Sequence, residues 1–151
     1  MFSVFKEKER FSKAEKEILV SAIRRSEAKT SGEIRVFIEG YCTMGNAYER
    51  AKEVFTELKM TKTKHRNAVL LYIALDERVL AMYCDTAIYA LTGLEYWQNE
   101  VSILTSHFKE DKYVQGIEKC ILQIGNCLAE HYPFENNDKN ELPDDIVFGN
   151  L

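Results

Sequence analysis

Ala68-Val69-Leu70-Leu71-Tyr72-Ile73-Ala74-Leu75 is the stretch on which the fold turns. An unbroken apolar run does not suit a half-exposed strand, which alternates, and it falls far short of the ~20 residues that span a bilayer. Val, Ile and Tyr favour extended backbone, so the run reads as a central strand buried on both faces. Such a strand needs covering layers on either side, and the flanking sequence has to supply them.

Upstream, Glu33 to Glu39 sets Ile34, Val36 and Ile38 against Glu33, Arg35 and Glu39, with Phe37 the exception. This alternation predicts a strand with one well-buried face. Between the two strands, Ala47, Ala51, Val54, Phe55 and Leu58 recur at helical spacing and predict a helix from about Asn46 to Lys59. A strand-helix-strand crossover is right-handed and makes its strands parallel. Downstream, a turn at Asp76 and Glu77 leads into Arg78 to Cys84, near enough in sequence to pair with the central run as an antiparallel hairpin.

The outer segments are mostly helical in pattern. Ser12 followed by Glu15 is a capping box, and Ile18, Leu19, Ala22 and Ile23 then predict a helix from Lys13 to Lys29, ended by Thr30, Ser31 and Gly32. Thr86 to Thr92 is ambiguous between a helical turn and an irregular loop. Leu94 to Phe108 and Tyr113 to His131 read as helices separated by a break at Lys109 to Lys112, and Pro133 stops the last one. The fold class is therefore α/β, a small mixed sheet with helices on both faces. Residues 1–133 form the domain, and residues 134–151 form a tail that has Ile146, Val147 and Phe148 with which to dock on it.

The chain has 151 residues, 46% of them hydrophobic, enough for one core. Twenty basic and 24 acidic residues give a net charge of -4, which argues against electrostatic binding to nucleic acid or anionic membrane. Met1 to Glu9 lacks the apolar centre of a secretory signal, and the expectation is a cytoplasmic protein without membrane insertion. The cysteines, Cys42, Cys84, Cys120 and Cys127, form no CxxC pair and read as reduced and mostly buried.

No GxGxxG, P-loop, GxSxG or HExxH occurs, and His65, His107 and His131 are dispersed. Carboxylates at loop positions are more informative, because hard divalent cations bind carboxylate and backbone carbonyl oxygens. Glu33 opens the first strand and Asp85 closes the third, so the topology brings both to one end of the sheet, beside Lys62 to Asn67. There Arg66 and Asn67 are placed to hold the crossing loops by hydrogen bonds. The opposite end offers a rival cluster: Glu39, Asp76, Glu77, Glu110 and Asp111. Either cluster also has an ordinary reading as solvated strand-end or turn acids.

Taken together, Thr30-Ser31-Gly32-Glu33-Ile34-Arg35-Val36, Arg50-Ala51 with Phe55, Leu58, Met60 and Thr63, and Arg66-Asn67-Ala68-Val69-Leu70-Leu71-Tyr72 form a recognisable pattern. Cys84-Asp85-Thr86-Ala87-Ile88, Tyr96-Trp97, Phe108-Lys109, Tyr132-Pro133 and Asn140-Glu141-Leu142-Pro143-Asp144-Asp145 continue it. The order and spacing resemble the TPM domain family in its short, stand-alone bacterial form. The resemblance implies an α/β/α sandwich around a four-stranded sheet, with divalent cations, typically calcium, bound where two loops cross. The extra strand would come from Thr86 to Ala90 or from the tail near Ile146.

On this footing Asp85 is the expected metal ligand and Glu33 a second, for Ca2+ or Mg2+ in a structural or regulatory role. A metal-assisted acid phosphatase activity, attributed to a plant member, and a protein-interaction module working through Glu141 to Phe148 are the alternative expectations. One departure touches the site: family members often carry Gly where this chain has Ala68, Cys84 and Ala87, and a side chain there narrows the loop's conformations.

Overall fold

The computed structural model describes residues 11–135 and 146–149. In chain order these residues form α1 (Lys13–Glu27), β1 (Glu33–Glu39), α2 (Ala47–Glu57), β2 (Ala68–Ala74), β3 (Val79–Cys84), α3 (Thr86–Thr92), α4 (Leu94–Lys109), α5 (Tyr113–His131) and β4 (Ile146–Phe148). The strands make one mixed sheet in the order β3-β2-β1-β4. β1 runs parallel to β2, with Glu33 opposite Ala68 and Glu39 opposite Ala74. β3 returns antiparallel, and β4 lies parallel to the other side of β1, with Val36 opposite Ile146.

Local chemistry sets the element ends. Ser12 and Glu15 close the capping box on α1 in both directions, at 2.8 and 3.0 Å. α1 ends at Glu27, short of the predicted Lys29, and Thr30 then pairs with Pro133 in an isolated antiparallel bridge. Asn46 caps α2 through a bond from the Glu49 amide at 3.0 Å. α2 stops at Glu57 because Lys59 turns left-handed (φ 57), and the Met60 and Lys59 amides then bond back to the Phe55 and Thr56 carbonyls. That is a Schellman closure with lysine in the usual glycine position.

The ambiguous Thr86 to Thr92 is a helix, started by the Asp85 carboxylate on the Thr86 amide at 2.7 Å. The fourth strand comes from the tail at Ile146 to Phe148. The other tail residues named above, Asn140 to Asp145, lie outside the described residues, as does Met1 to Glu9.

The sheet separates two cores. On one face Ile34, Val36, Ile38, Val69, Leu71, Ile73, Leu80 and Met82 pack with α1, α3, α4 and α5. On the other, Phe37, Leu70, Tyr72 and Ala81 pack with Ala51, Val54 and Phe55 of α2. All seven residues of β2 are buried, as a two-sided central strand requires. β1 departs from its prediction, since its residues are buried on both faces. Its α2-side face carries Glu33, Arg35 and Glu39 beside Phe37, which stacks on Tyr72 (centroids 6.1 Å apart) with the Arg50 guanidinium over its ring. All four cysteines are free, and Cys84, Cys120 and Cys127 are buried.

Candidate functional site

Strand direction sorts the loops into two ends. β1 and β2 begin, and β3 finishes, at the entry end, while the β2-β3 turn and the exit of β1 mark the hairpin end. At the entry end the Asp85 amide donates to the Ala68 carbonyl at 2.9 Å, and Ala68 also stands opposite Glu33. Glu33, Ala68 and Asp85 therefore form one lateral row. Side chains alternate along each strand, so this row shares the α2 face with Leu70 and Tyr83 two residues further on. Two strand spacings put the Glu33 and Asp85 backbones roughly 10 Å apart, with only a methyl group between them. Both carboxylates are 3% exposed.

The surrounding loops are pinned by short-range bonds. The Thr30 hydroxyl donates to the Tyr132 carbonyl and accepts from the Gly32 amide at 3.0 Å, and the Ser31 amide also reaches the Tyr132 carbonyl at 3.0 Å. The first crossing loop is thus tied to the end of α5. In the second, Arg66 sits in the left-handed region (φ 52), and the Asn67 amide donates to the Thr63 hydroxyl at 3.4 Å.

From this position the Arg66 side chain reaches Asp85 with a two-pronged contact, Nε to Oδ2 at 2.7 Å and Nη2 to Oδ1 at 2.8 Å. With the Thr86 amide also on Oδ1, Asp85 accepts at about three of the ~four lone-pair sites of a carboxylate. The paired arginine keeps its proton more firmly than usual, through its hydrogen bond to Asp85 and then its charge.

Two neighbouring side chains at this end lack hydrogen-bond partners. Asn67 is fully buried, yet neither Oδ1 nor Nδ2 makes a hydrogen bond, and the buried Ser31 hydroxyl makes none either. Buried polar atoms are nearly always paired, so these groups mark a place where an ion or water would be satisfied. Against this stands the ligand inventory. Among the described residues no group of three or more His, Cys, Asp or Glu is arranged to hold a metal ion. Two carboxylates supplemented by amide, hydroxyl and backbone oxygens fit a hard cation and do not fit a soft or imidazole-seeking one.

The rival acids at the hairpin end are divided among separate partners. Glu39 is held by Arg50, Nε to Oε2 at 2.8 Å and Nη2 to Oε1 at 3.0 Å, and by the Tyr72 hydroxyl. Burial and then the Glu39 carboxylate push the Tyr72 phenol far up, so it stays a neutral donor. Glu77 accepts from the Cys42 amide, Glu110 pairs with Lys112 at 3.0 Å, and Asp111 pairs with Arg78 at 3.3 Å. Sequence spacing did not reveal the Glu39-Arg50-Tyr72 triad, although a tyrosine inside an otherwise apolar central strand asks for a partner.

The two ends thus belong to one three-layer domain with a parallel crossover, a returning hairpin and a late edge strand. The family model described as TPM domain matches residues 4–127, and the chain belongs to that family. The chain is similar to the NMR structure of the BA42 protein from the psychrophilic bacterium Bizionia argentinensis, with 34% identity and a TM-score of 0.85, covering 92% of this chain and 95% of that one. The N-terminal domain of a P. gingivalis protein shares the fold at 15% identity and a TM-score of 0.70, covering 84% of this chain and 83% of that one. So does the N-terminal domain of the cg2496 protein of Corynebacterium glutamicum, at 10% identity and 0.59, covering 91% and 80%. No curated protein matches. No helix among the described residues is long and apolar enough to cross a membrane.

Proposed function

We propose that this TPM domain holds a divalent cation, Ca2+ or Mg2+, between its crossing loops, with Asp85 and Glu33 as the carboxylate ligands. The observation that carries the reading is Asn67, a fully buried amide with both ends unmatched, which enters β2 at the same end of the sheet as the two buried carboxylates. Ca2+ accepts Asn and backbone carbonyls together with carboxylates, so two acids suffice where neutral oxygens complete the shell.

Arg66 sets the character of such a site. Its guanidinium already neutralises Asp85 and leaves one lone-pair site open, so an arriving ion either shares the carboxylate or displaces the arginine. The side chain is about half exposed, which makes displacement inexpensive and the affinity modest. Binding would tie the first crossing loop to the second and stabilise the folded state by mass action, which suits a structural or regulatory ion.

A Ca2+ titration of the chelator-treated protein, followed by residue-resolved NMR, tests this. Saturable shifts are expected at residues 31–33, 63–67 and 85–86. Asp85→Asn keeps the helix cap, since asparagine caps as well as aspartate, and is expected to weaken Ca2+ at least tenfold. Arg66→Gln, which removes the competing cation, is expected to tighten it. Unchanged Ca2+ affinity in Asp85→Asn would refute the assignment.

A further inference from the structure

α4 and α5 run back from their shared turn side by side, and Gly116 lets them touch: a Cβ there would lie 2.6 Å from the His107 Cβ and 2.9 Å from the Leu104 Cδ1. Beyond that contact the helices leave a cleft of about 190 Å3 between them. Leu104 and Cys120, 1% and 4% exposed, form its floor, and Glu100 enters it from α4. Glu100 is 9% exposed, and its carboxyl makes no hydrogen bond or ion pair among the described residues. The polar groups around it are engaged elsewhere. The His107 Nδ1 donates to the Ile103 carbonyl at 3.1 Å, and the Tyr96 hydroxyl is bonded to the Cys127 sulfur. Lys119, exposed at the mouth, acts on Glu100 through its charge without forming an ion pair. A buried carboxylate is ordinarily paired, and here burial raises its pKa while Lys119 offsets this only in part.

We infer that this cleft binds a small amino acid as its zwitterion, with the ligand's ammonium on Glu100 and its carboxylate on Lys119. Two opposite charges that line one cleft without pairing are complementary to a ligand that carries both. The ammonium brings three N–H donors to a carboxylate that has none, and a charge-assisted bond is strongest where water is excluded. At the mouth the long, exposed Lys119 side chain follows the ligand's other end. The volume limits the ligand's size: at ~30 Å3 for each water, the cleft holds about six. That is the size of glycine or alanine, with Leu104 and Ile103 to meet a methyl group.

Other occupants fit less well. A metal ion needs more ligands than Glu100, and among the described residues no three His, Cys, Asp or Glu are grouped to hold one. A simple amine satisfies Glu100 but is repelled by Lys119, and a simple carboxylate is repelled by Glu100. The cleft lies on the face of the sheet away from α2 and shares no residue with the entry end, so it stands independently of the divalent-cation reading.

The test is an NMR titration of the isotope-labelled protein with L-alanine, alongside ethylammonium, which lacks its carboxylate, and propionate, which lacks its ammonium. Saturable shifts are expected at residues 100–107 and 116–123, with each control at least tenfold weaker. Glu100→Gln keeps the shape of the side chain and removes its charge, and is expected to weaken L-alanine at least tenfold without lowering Tm at neutral pH. Lys119→Met is expected to weaken L-alanine and to tighten ethylammonium, a reversal that loss of packing alone does not produce. The inference is overturned if millimolar L-alanine gives no saturable response, which leaves the cleft to water, or if ethylammonium binds as tightly as L-alanine. It is also overturned if Glu100→Gln leaves the L-alanine affinity unchanged.

Discussion

Glu39 and Arg50 show what a single buried charge demands of its surroundings. Their side chains are 4% and 14% exposed, and the carboxylate takes two bonds from the guanidinium and one from Tyr72. Arg50→Met strands the Glu39 charge and is expected to cost about 3–5 kcal/mol in urea unfolding. Adding Glu39→Gln, which removes the charge left behind, is expected to recover much of that loss. Glu100 behaves in the opposite sense, because burial raises its pKa and nearby Lys119 offsets this only in part. The native carboxyl holds its proton to higher pH than the unfolded chain does. Stability therefore falls as pH rises from the unfolded pKa, about 4.3, through the raised folded one. Glu100→Gln is expected to flatten that part of the stability-pH curve and to leave the protein more stable at neutral pH.

Helices and strands show where sequence patterns stop being informative. The two-residue period of β1, the apolar run of β2 and the helical spacing of α1, α2, α4 and α5 were legible because each buries a face along several turns or pleats. Thr86-Ala87-Ile88-Tyr89-Ala90-Leu91-Thr92 has no polar face to set a phase, and what makes it helical is Asp85 acting on the Thr86 amide. β4 is too short to show any period, and only its pairing with β1 defines it. The acids of the entry end were legible from topology. The neutralisation of Asp85 was not, since Arg66 reaches it by means of a left-handed backbone that a lysine-rich loop does not advertise.

The α1-α5 contact gives the prediction at this scale. A Cβ built on Gly125 would lie 2.4 Å from the Ser26 Cβ and 3.0 Å from its Cα, while the Ser26 hydroxyl donates to the Ile121 carbonyl at 3.2 Å. Gly125→Ala is expected to push the helices apart and cost about 1–3 kcal/mol by thermal unfolding. Ser26→Gly in the same chain is expected to return part of it by clearing the contact.

For the molecule as a whole, β4 closes the side of β1 that β2 leaves open. Ile146 is 6% exposed and joins the larger core, and the Gly149 amide still bonds to the Ile38 carbonyl at 2.8 Å. Ile146→Asp puts an unpaired carboxylate into that core and breaks the pairing together. A loss of about 3 kcal/mol or more is expected, which for a domain of this size lowers Tm by roughly 6–12 °C. Light scattering at the new transition is expected to rise, because β1 then offers an unpaired apolar edge.

The same pairing dictates an order of events during synthesis. β1, α2, β2 and β3 follow one another without interruption and can assemble as soon as Cys84 has emerged, whereas the partner for the outer side of β1, at Ile146–Phe148, is made about 60 residues later. A ribosome adds about 5–20 residues per second, so the nascent sheet spends several seconds with that edge bare. A chaperone that recognises unpaired strands would therefore find its target at Val36 and Ile38, and would lose it when Ile146 arrives.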